Sequence, residues 1–223
     1  QNDICEQLQF SKAQKRFQQS FARPNLSYSV FEPPSKQTKL LEVLQSVKGT
    51  AIVYCKSRRQ TQQVSDLLKL NKINAEYYHA GLNNEQRNER QENWINNKTR
   101  VIVATNAFGM GIDKPDVRLV IHYDVPDNLE SYYQEAGRAG RDGKRAFAVL
   151  MHNANETDEL YAMIDLRYPG EEEIRKMYTD LMNYLQVPAG IGEDQSFEFD
   201  IARFCDAFKH NILKATYGIQ ALA

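Results

Sequence analysis

The chain lacks most of the features that would mark a membrane protein, a disulfide-rich protein or a broadly basic binder of polyanions. It has no run of about 18 apolar residues, the minimum for a bilayer-spanning helix. Its three cysteines, Cys5, Cys55 and Cys205, are far apart and fit neither a zinc motif nor a paired framework, so we expect reduced thiols in a cytoplasmic protein. With 28 basic and 29 acidic residues, the net charge is -1. Any nucleic-acid contact must therefore come from a local patch.

Apolar, β-branched runs alternate with helical patterns between residues 40 and 150. Since these runs are apolar on both faces, they suit a parallel sheet that is covered on two sides. Asn83 followed by Gln86 predicts a capping box that opens a polar helix running to about Asn96. The alternation predicts an α/β fold with a doubly wound parallel sheet flanked by helices. The predicted strands are Thr50–Cys55, Ala75–Tyr78 (weaker), Arg100–Ala104, Leu119–Tyr123 and Ala146–Leu150.

The two ends of the chain differ from this middle part. Residues 1–23 are polar, and Arg23-Pro24-Asn25 breaks their pattern. After Leu150 the sequence predicts only helices, with the last two joined by a tight turn. That pair fits the start of a winged-helix unit or any small helical hairpin equally well, and both alternatives remain open. The predicted helices are Glu156–Leu166, Glu171–Leu185, Phe199–Phe208 and Asn211–Leu222, with a break at 188–192.

The most informative stretch is QEAGRAGRDG, from Gln134 to Gly143. Arg138 and Arg141 stand three residues apart, on one helical face or on one helix and its exit loop. A guanidinium group donates bidentate, charge-assisted hydrogen bonds to phosphate. At an interface between two lobes it can stabilise the charge on a transferring γ-phosphoryl group. The alternative is a solvated basic turn, which the ten residues in this order disfavour.

A second stretch, from residue 104 to residue 115, follows a predicted strand at its carboxyl end, where open α/β sheets place ligand sites. Gly109 and Gly111 allow the backbone to approach a phosphate or another lobe closely. Thr105 offers a hydroxyl and a backbone N–H to a nucleic-acid phosphate. Asp113 can accept a hydrogen bond from a ribose hydroxyl. Glycines spaced in this way are a weak signal alone, and the arginine stretch that follows strengthens it.

Two further candidate binding segments, with weaker sequence signals, follow the ends of other predicted strands. Ser57 and Arg58 open a helix, so their N–H groups and basic side chains suit a phosphate. The alternative there is an ordinary N-cap with solvated arginines. His79 and Gly81 belong to the segment HAGL, and we expect only backbone contacts with a ligand from it, because a lone histidine is more often structural than catalytic.

In this order, the segments resemble the second RecA-like domain of RecQ helicases, which belong to helicase superfamily two. The matching segments are IVYC at 52–55, HAGL at 79–82, AFGMGIDKP at 107–115 and SYYQEAGRAGRDG at 131–143. The likeness covers about residues 20–150, and FGMGIDKP with the YYQE opening favours RecQ proteins over their RNA-acting relatives. It implies ATP-dependent unwinding of duplex DNA with 3′-to-5′ polarity, in replication, recombination or repair.

The resemblance also implies roles for individual residues and partners. Arg141 matches the arginine finger and Arg138 its supporting arginine. The cofactors would be ATP and Mg²⁺, held mainly by a first lobe, with no zinc. The partners would be single-stranded and duplex DNA and the first lobe of the same protein, with no membrane, in the cytoplasm or, in a bacterium, at the nucleoid. The implied ATP-binding residues are Gly111, Asp113 and Gln134, and the implied nucleic-acid-binding residues are Ser57, Arg58, His79, Gly81 and Thr105.

Parts of the family pattern are absent from the sequence. It contains no GxxxxGK[S/T] and no DExH motif, both of which belong to the first lobe. We therefore expect residues 1–23 to be the tail of that lobe and a linker, 24–152 the second RecA-like domain, and 153–223 a helical segment. We expect the lobe to swing near residues 23–34, and the chain alone to hydrolyse no ATP. Only Cys205 follows Leu150, so we expect a shorter variant without the four-cysteine zinc subdomain that is usual in the family.

Two other functions remain open from the sequence. One is an RNA helicase or remodelling motor that uses the same lobe. The other is a stand-alone nucleic-acid-binding module without catalysis.

Overall fold

A computed structural model describes residues 22–109, 112–188 and 196–222, together with Gln7 and Gln9. Most of the predicted tail, Cys5, Gly111 and most of the predicted break at 188–192 lie outside the described residues.

Six strands and eight helices follow one another in the described residues. They are β1 (Leu26–Phe31), α1 (Lys36–Ser46), β2 (Thr50–Tyr54), α2 (Arg58–Leu70), β3 (Ala75–Tyr78), α3 (Asn84–Ile95), β4 (Val101–Ala104), β5 (Val117–His122), α4 (Leu129–Ala136), β6 (Ala146–Met151), α5 (Ala154–Arg167), α6 (Glu171–Leu185), α7 (Ile201–Phe208) and α8 (Ile212–Leu222).

The strands form one sheet in the order β1-β6-β5-β2-β4-β3, and every neighbouring pair is parallel. The predicted α/β class, a parallel sheet flanked by helices, is confirmed. The predicted capping box is also present, because Asn83 accepts from the Gln86 N–H and the Gln86 side chain accepts from the Asn83 N–H.

The central strand β2 shows how the sheet forms a core on each face. All of its residues are buried. Ala51 and Val53 belong to the core that α1 and α2 cover. Ile52 and Tyr54 belong to the core on the opposite face, which contains the fully buried Trp94. This alternation follows from the two-residue period of a strand, and it makes the sheet a rigid support for the loops at its edges.

The sheet has one strand more than the sequence predicted. Leu26–Phe31 forms β1 and pairs with β6, with Leu26 opposite Ala146. The predicted swing segment at residues 23–34 is therefore wrong for these six residues, which are held by ladder hydrogen bonds at an edge of the sheet.

The last three helices, α6 to α8, pack together around Phe204, Cys205 and Ala215. Helix α5 packs against α8. Gly218 of α8 lies so close to α6 that a Cβ there would be 2.3 Å from the Met177 sulfur. Whether α7 and α8 begin a winged-helix unit stays a prediction. Within the described part of the chain, no helix combines the length and apolar character that a bilayer span requires.

This helical unit is joined to the sheet through Glu156 at the start of α5. Its carboxylate accepts from the Lys36 Nζ at 2.6 Å and from the Asn153 N–H at 2.8 Å. Lys36 also donates to the Tyr123 carbonyl at 2.7 Å. The Lys36 and Glu156 side chains are each only 12% exposed, so the junction is an enclosed, fully hydrogen-bonded ion pair.

Candidate nucleotide and nucleic-acid sites

Residues 137–143, here called the arginine loop, carry both predicted catalytic arginines. Helix α4 ends at Ala136 and Gly137 caps it, so Arg138 and Arg141 both follow the helix. The expectation that one or both lie on a helical face is therefore wrong. The Gly140 N–H donates to the Val117 carbonyl at 2.8 Å, which places the loop against the first residue of β5.

Arg138 lies over the backbone at Gly109. Its Nη1 donates to the Gly109 carbonyl at 2.6 Å. Gly109 has φ +129, and a Cβ there would be 2.3 Å from the Arg138 Cζ. The backbone conformation therefore requires glycine at this position, and a side chain there would also displace the Arg138 guanidinium. The Arg138 Nε is buried and has no hydrogen-bond partner among the described residues, so this side chain retains a donor for a further acceptor.

Arg141 is paired with the residue predicted to accept from a ribose. Its Nη1 donates to the Asp113 Oδ1 at 2.9 Å, and the two side chains are 37% and 81% exposed. An ion pair this exposed contributes at most about 1 kcal/mol, so a phosphate can readily replace the Asp113 carboxylate. The Asp113 carboxylate thus keeps the Arg141 guanidinium in place but binds it too weakly to prevent it from binding a phosphate.

These residues line one open depression on the protein surface. Gln134 lies on its rim, where its side chain donates to the Glu130 carboxylate at 3.1 Å. The structure therefore brings together four of the five predicted catalytic and ATP-binding residues, and the fifth, Gly111, lies outside the described residues. The lining comprises Gly109, Ile112, Asp113, Tyr133, Gln134, Gly137, Arg138 and Arg141.

A second group of predicted residues lies at the carboxyl ends of β2 and β3. Ser57 is the N-cap of α2 and accepts from the Gln60 N–H at 3.1 Å. The exposed Arg58 reaches the HAGL turn, where a Cβ on Gly81 would be 2.9 Å from the Arg58 Nη1 and 3.2 Å from the His79 Nδ1. The guanidinium and the imidazole are thus neighbours, although the sequence separates them by about twenty positions.

His79 offers more than the backbone contact expected from the sequence. Its ring stacks on Tyr77 with centroids 5.6 Å apart, and its buried Nδ1 has no hydrogen-bond partner in the residues that the structure describes. Partial burial, and then the charges of Arg58 and Arg90, lower the pKa of His79 below its usual 6.5. The ring is therefore neutral at pH 7 and can offer a hydrogen bond to a ligand without adding charge.

Thr105 does not match its prediction in full. Its backbone N–H donates to the Tyr78 carbonyl at 3.2 Å, continuing the link between β3 and β4. The N–H is therefore unavailable to a nucleic-acid phosphate, and that part of the prediction is wrong. The residue is 8% exposed.

The sequence did not single out His122 and Glu135, which connect β5 to α4. The His122 Nε2 lies 2.9 Å from the Glu135 Oε2, and the fully buried imidazole stacks on Tyr54. The Tyr54 hydroxyl in turn donates to the Phe108 carbonyl at 3.2 Å. A histidine at the end of a strand, thirteen positions before the glutamate of the QEAGR segment, was the available signal.

The cysteines and carboxylates of the described residues form no group of three or more side chains that could hold a metal ion. Cys55 and Cys205 are buried free thiols, and burial raises the pKa of both. Both thiols are therefore protonated at neutral pH and pack as small apolar side chains.

The family model of the helicase conserved C-terminal domain matches residues 35–143. A RecQ-like DNA helicase of Caenorhabditis elegans is 43% identical over 180 residues, covering 78% of this chain and 18% of that protein. The ATP-dependent DNA helicase RecQ of Bacillus subtilis is 41% identical over 156 residues, covering 70% of this chain and 26% of that protein. A protein of Acanthamoeba polyphaga mimivirus that carries the name of an ATP-dependent RNA helicase is 43% identical over 153 residues, covering 68% of this chain and 28% of that protein.

Among solved structures, a DEAD box protein of Methanococcus jannaschii aligns with a TM-score of 0.58 and 26% identity, over 74% of this chain and 46% of that protein. The chain thus spans between 18% and 28% of the length of these three curated relatives. From the matched motifs, the parallel sheet and these relatives together, we conclude that the chain is a RecQ-like member of the helicase conserved C-terminal domain family.

Proposed function

We propose that the chain is the second motor lobe of an ATP-dependent DNA helicase that moves 3′ to 5′ and unwinds duplex DNA in replication, recombination or repair. The observation that carries this proposal is the convergence of Arg138, Arg141 and Asp113 on one open depression, together with a second cluster of Arg58 and His79 at the carboxyl ends of β2 and β3. A motor lobe needs these two kinds of surface, one for nucleotide and one for the tracked strand.

The depression fits the outer phosphates of ATP. Within the described part of the chain, the Arg138 Nε is a buried donor without an acceptor, and the carboxylate that pairs with Arg141 is exposed, so phosphate can replace it. When bound, ATP supplies the γ-phosphoryl group that is transferred to water. Arg141 would then stabilise the developing charge, and Arg138 would hold the backbone at Gly109 in place. Two arginines do not make a complete phosphate cradle, so Mg²⁺ and most phosphate contacts fall to a first lobe.

The cluster at the carboxyl ends of β2 and β3 fits the backbone of a single strand. Arg58 supplies a mobile positive charge, the Ser57 end of α2 supplies helix N–H groups, and His79 supplies a neutral ring nitrogen. Gly81 leaves room for the phosphate and for Arg58 itself, and Thr105 retains its hydroxyl. Contacts of this type position the strand without reading its sequence.

The activity belongs to a longer protein in this proposal, since the chain spans at most 28% of the three compared relatives. Residues 1–23 would lead from the first lobe, residues 24–152 would form the second, and residues 153–223 would extend it. The partners would be the first lobe and single-stranded and duplex DNA, in the cytoplasm or at a nucleoid.

An RNA helicase is the second candidate. The observation that favours it is the mimivirus relative named as an RNA helicase, which is as similar in sequence as the worm RecQ-like protein. DNA remains the preferred polymer because the worm and Bacillus relatives are both named as DNA helicases.

The test is the ATPase rate of the complete protein with single-stranded DNA, single-stranded RNA or no polymer. We expect stimulation by DNA, and Arg141→Ala should lower the stimulated rate at least about 1,000-fold, the scale reported for arginine fingers. Arg141→Lys is the matched control for charge, and it should also fail because lysine lacks the planar fork. Stimulation by RNA alone would favour the second candidate, and an unchanged rate in Arg141→Ala would contradict the role of this arginine.

A further inference from the structure

Two side chains that precede β1 hold the arginine loop from behind. The guanidinium of Arg23 donates to three carbonyls of the loop, those of Gly137 at 3.3 Å, Ala139 at 2.9 Å and Gly140 at 2.7 Å. These contacts join positions more than 110 residues apart in the sequence. They use the guanidinium as a fork for backbone carbonyls, with no carboxylate involved.

Asn25 completes the attachment. Its Nδ2 donates to the Gly140 carbonyl at 2.7 Å and to the Lys144 carbonyl at 2.9 Å. Its own carbonyl accepts from the Ala146 N–H at 2.9 Å, so its backbone is fixed by the ladder between β1 and β6. Gly140 has φ +63, and a Cβ there would be 2.7 Å from the Asn25 Nδ2. The turn is therefore packed directly on this asparagine.

The held carbonyls are those next to the arginines in sequence. Gly137 and Ala139 flank Arg138, and Gly140 immediately precedes Arg141. The loop backbone is held on two sides, because its Gly140 and Asp142 N–H groups donate to the Val117 carbonyl at the start of β5 and to the Pro115 carbonyl before it, while its own carbonyls accept from the external donors described above. Among the described residues, the anchors of the Arg141 side chain are its exposed pair with Asp113 and a long contact with the Ile112 carbonyl. Its reach is therefore set by where the loop backbone is held.

We propose that Arg23 and Asn25 are positioning residues for the phosphate-binding arginines Arg138 and Arg141. This inference rests on the proposed function. Neither residue touches the depression, and each acts through the carbonyls of the arginine loop.

The experiment uses Arg23→Ala, Arg23→Lys and Asn25→Ala in the complete protein. For Arg23→Ala we expect kcat to fall about 10- to 100-fold, the cost of a displaced catalytic group, with affinities for ADP and single-stranded DNA unchanged. Affinity for ADP with aluminium fluoride, which mimics the transferring phosphoryl group, should fall together with kcat. Arg23→Lys should be intermediate, since an ammonium group cannot serve three carbonyls from one plane.

Arg145→Ala is the matched control. It removes the same charge beside the same loop, but its guanidinium lies over the Phe147 ring, 5.3 Å from the centroid, and should leave kcat unchanged. If Arg23→Ala lowers the melting temperature but keeps full kcat, the inference is overturned. Should that variant fail to fold, Arg23→Lys and Asn25→Ala decide in the same way. Full activity in all three beside an inactive Arg141→Ala would reject only the positioning role, whereas an active Arg141→Ala would reject the proposed function.

Discussion

At the scale of single residues, Gly81 controls where Arg58 can lie. A methyl group at this position meets the end of a flexible side chain, so the fold should tolerate it while the guanidinium moves away. We expect Gly81→Ala to weaken binding of single-stranded DNA by the complete protein for every sequence alike. The slope of affinity against salt should also fall, by up to about one unit, as for the loss of one phosphate contact.

Titrations at several salt concentrations measure this, with Arg58→Ala as the reference for complete loss of the contact. Gly170→Ala is the matched control, since the nearest atom to its new methyl group would be 4.0 Å away. Unchanged binding by Gly81→Ala, beside weakened binding by Arg58→Ala, would show that the guanidinium reaches phosphate from another position.

His79 should make DNA binding depend on pH. Its pKa is lowered in the free protein, and a nearby phosphate would raise it, so the complex binds more protons than the free protein below about pH 6.5. Affinity should therefore be flat between about pH 7 and 8 and should rise as the pH falls below 6.5. The lowered pKa of His79 has the opposite effect on folding. Below about pH 6.5 the unfolded chain binds more protons than the folded chain, so the free energy of unfolding decreases as the pH is lowered.

The measurement is DNA affinity between pH 5.5 and 8 for the complete protein and for His79→Gln, in which affinity should no longer increase at low pH. His152 lies outside the cluster, so affinity should still increase at low pH in His152→Gln. A rise that persists in His79→Gln would assign the proton to another group.

At the scale of elements, the junction between the sheet and α5 should contribute strongly to stability. Lys36 and Glu156 are nearly enclosed, and removing Glu156 leaves the Lys36 ammonium with the more distant Asp124 carboxylate, at 3.9 Å. We expect Glu156→Ala to lower the free energy of unfolding by about 3 kcal/mol or more. Urea unfolding of the chain, followed by circular dichroism, measures it.

Glu171→Ala is the matched control, because Glu171 also lies in the first turn of a helix and pairs with Arg175. Both of those side chains are more than 75% exposed, so the loss should stay below about 1 kcal/mol. Equal losses of unfolding free energy in the two variants would show that the enclosed pair stabilises the fold no more than the exposed pair does.

The sequence predicted the central elements well because their signals are local. Five strands that are apolar on both faces were found within two residues at each end, and the Asn83 capping box was read from three-residue spacing. Strand β1 was missed. In LSYSVF, serines alternate with larger residues, and only Leu26 is buried, as an edge strand allows. Prolines on both sides made the segment resemble a linker.

The site was predicted to the extent that its residues share a motif. Arg138, Arg141 and Asp113 were identified, but their mutual pairing was not, since it depends on where the chain turns after α4. Arg23 and Asn25 carried no signal, because their partners are backbone carbonyls more than 110 positions away. Every residue has a backbone carbonyl, so a hydrogen bond to one does not require any particular residue type at the partner position.

At the scale of the whole molecule, the chain alone should not turn over ATP. The depression offers two arginines and an aspartate and is open to water, whereas phosphoryl transfer also needs a cradle for the phosphates and Mg²⁺. We expect the folded chain to show no ATPase activity with or without DNA. Turnover that Arg141→Ala abolishes would contradict this, and a circular dichroism spectrum would show that the protein tested was folded.

The parallel sheet also joins the two candidate sites mechanically. Strand β4 lies between β2 and β3, so the loop that follows it and carries Gly109 begins beside the Arg58 cluster. The Tyr54 hydroxyl at the end of β2 donates to the Phe108 carbonyl at 3.2 Å, one residue before Gly109. Because these strands are buried and paired in one sheet, the two surfaces form one rigid body, and any rotation of the sheet moves both of them together.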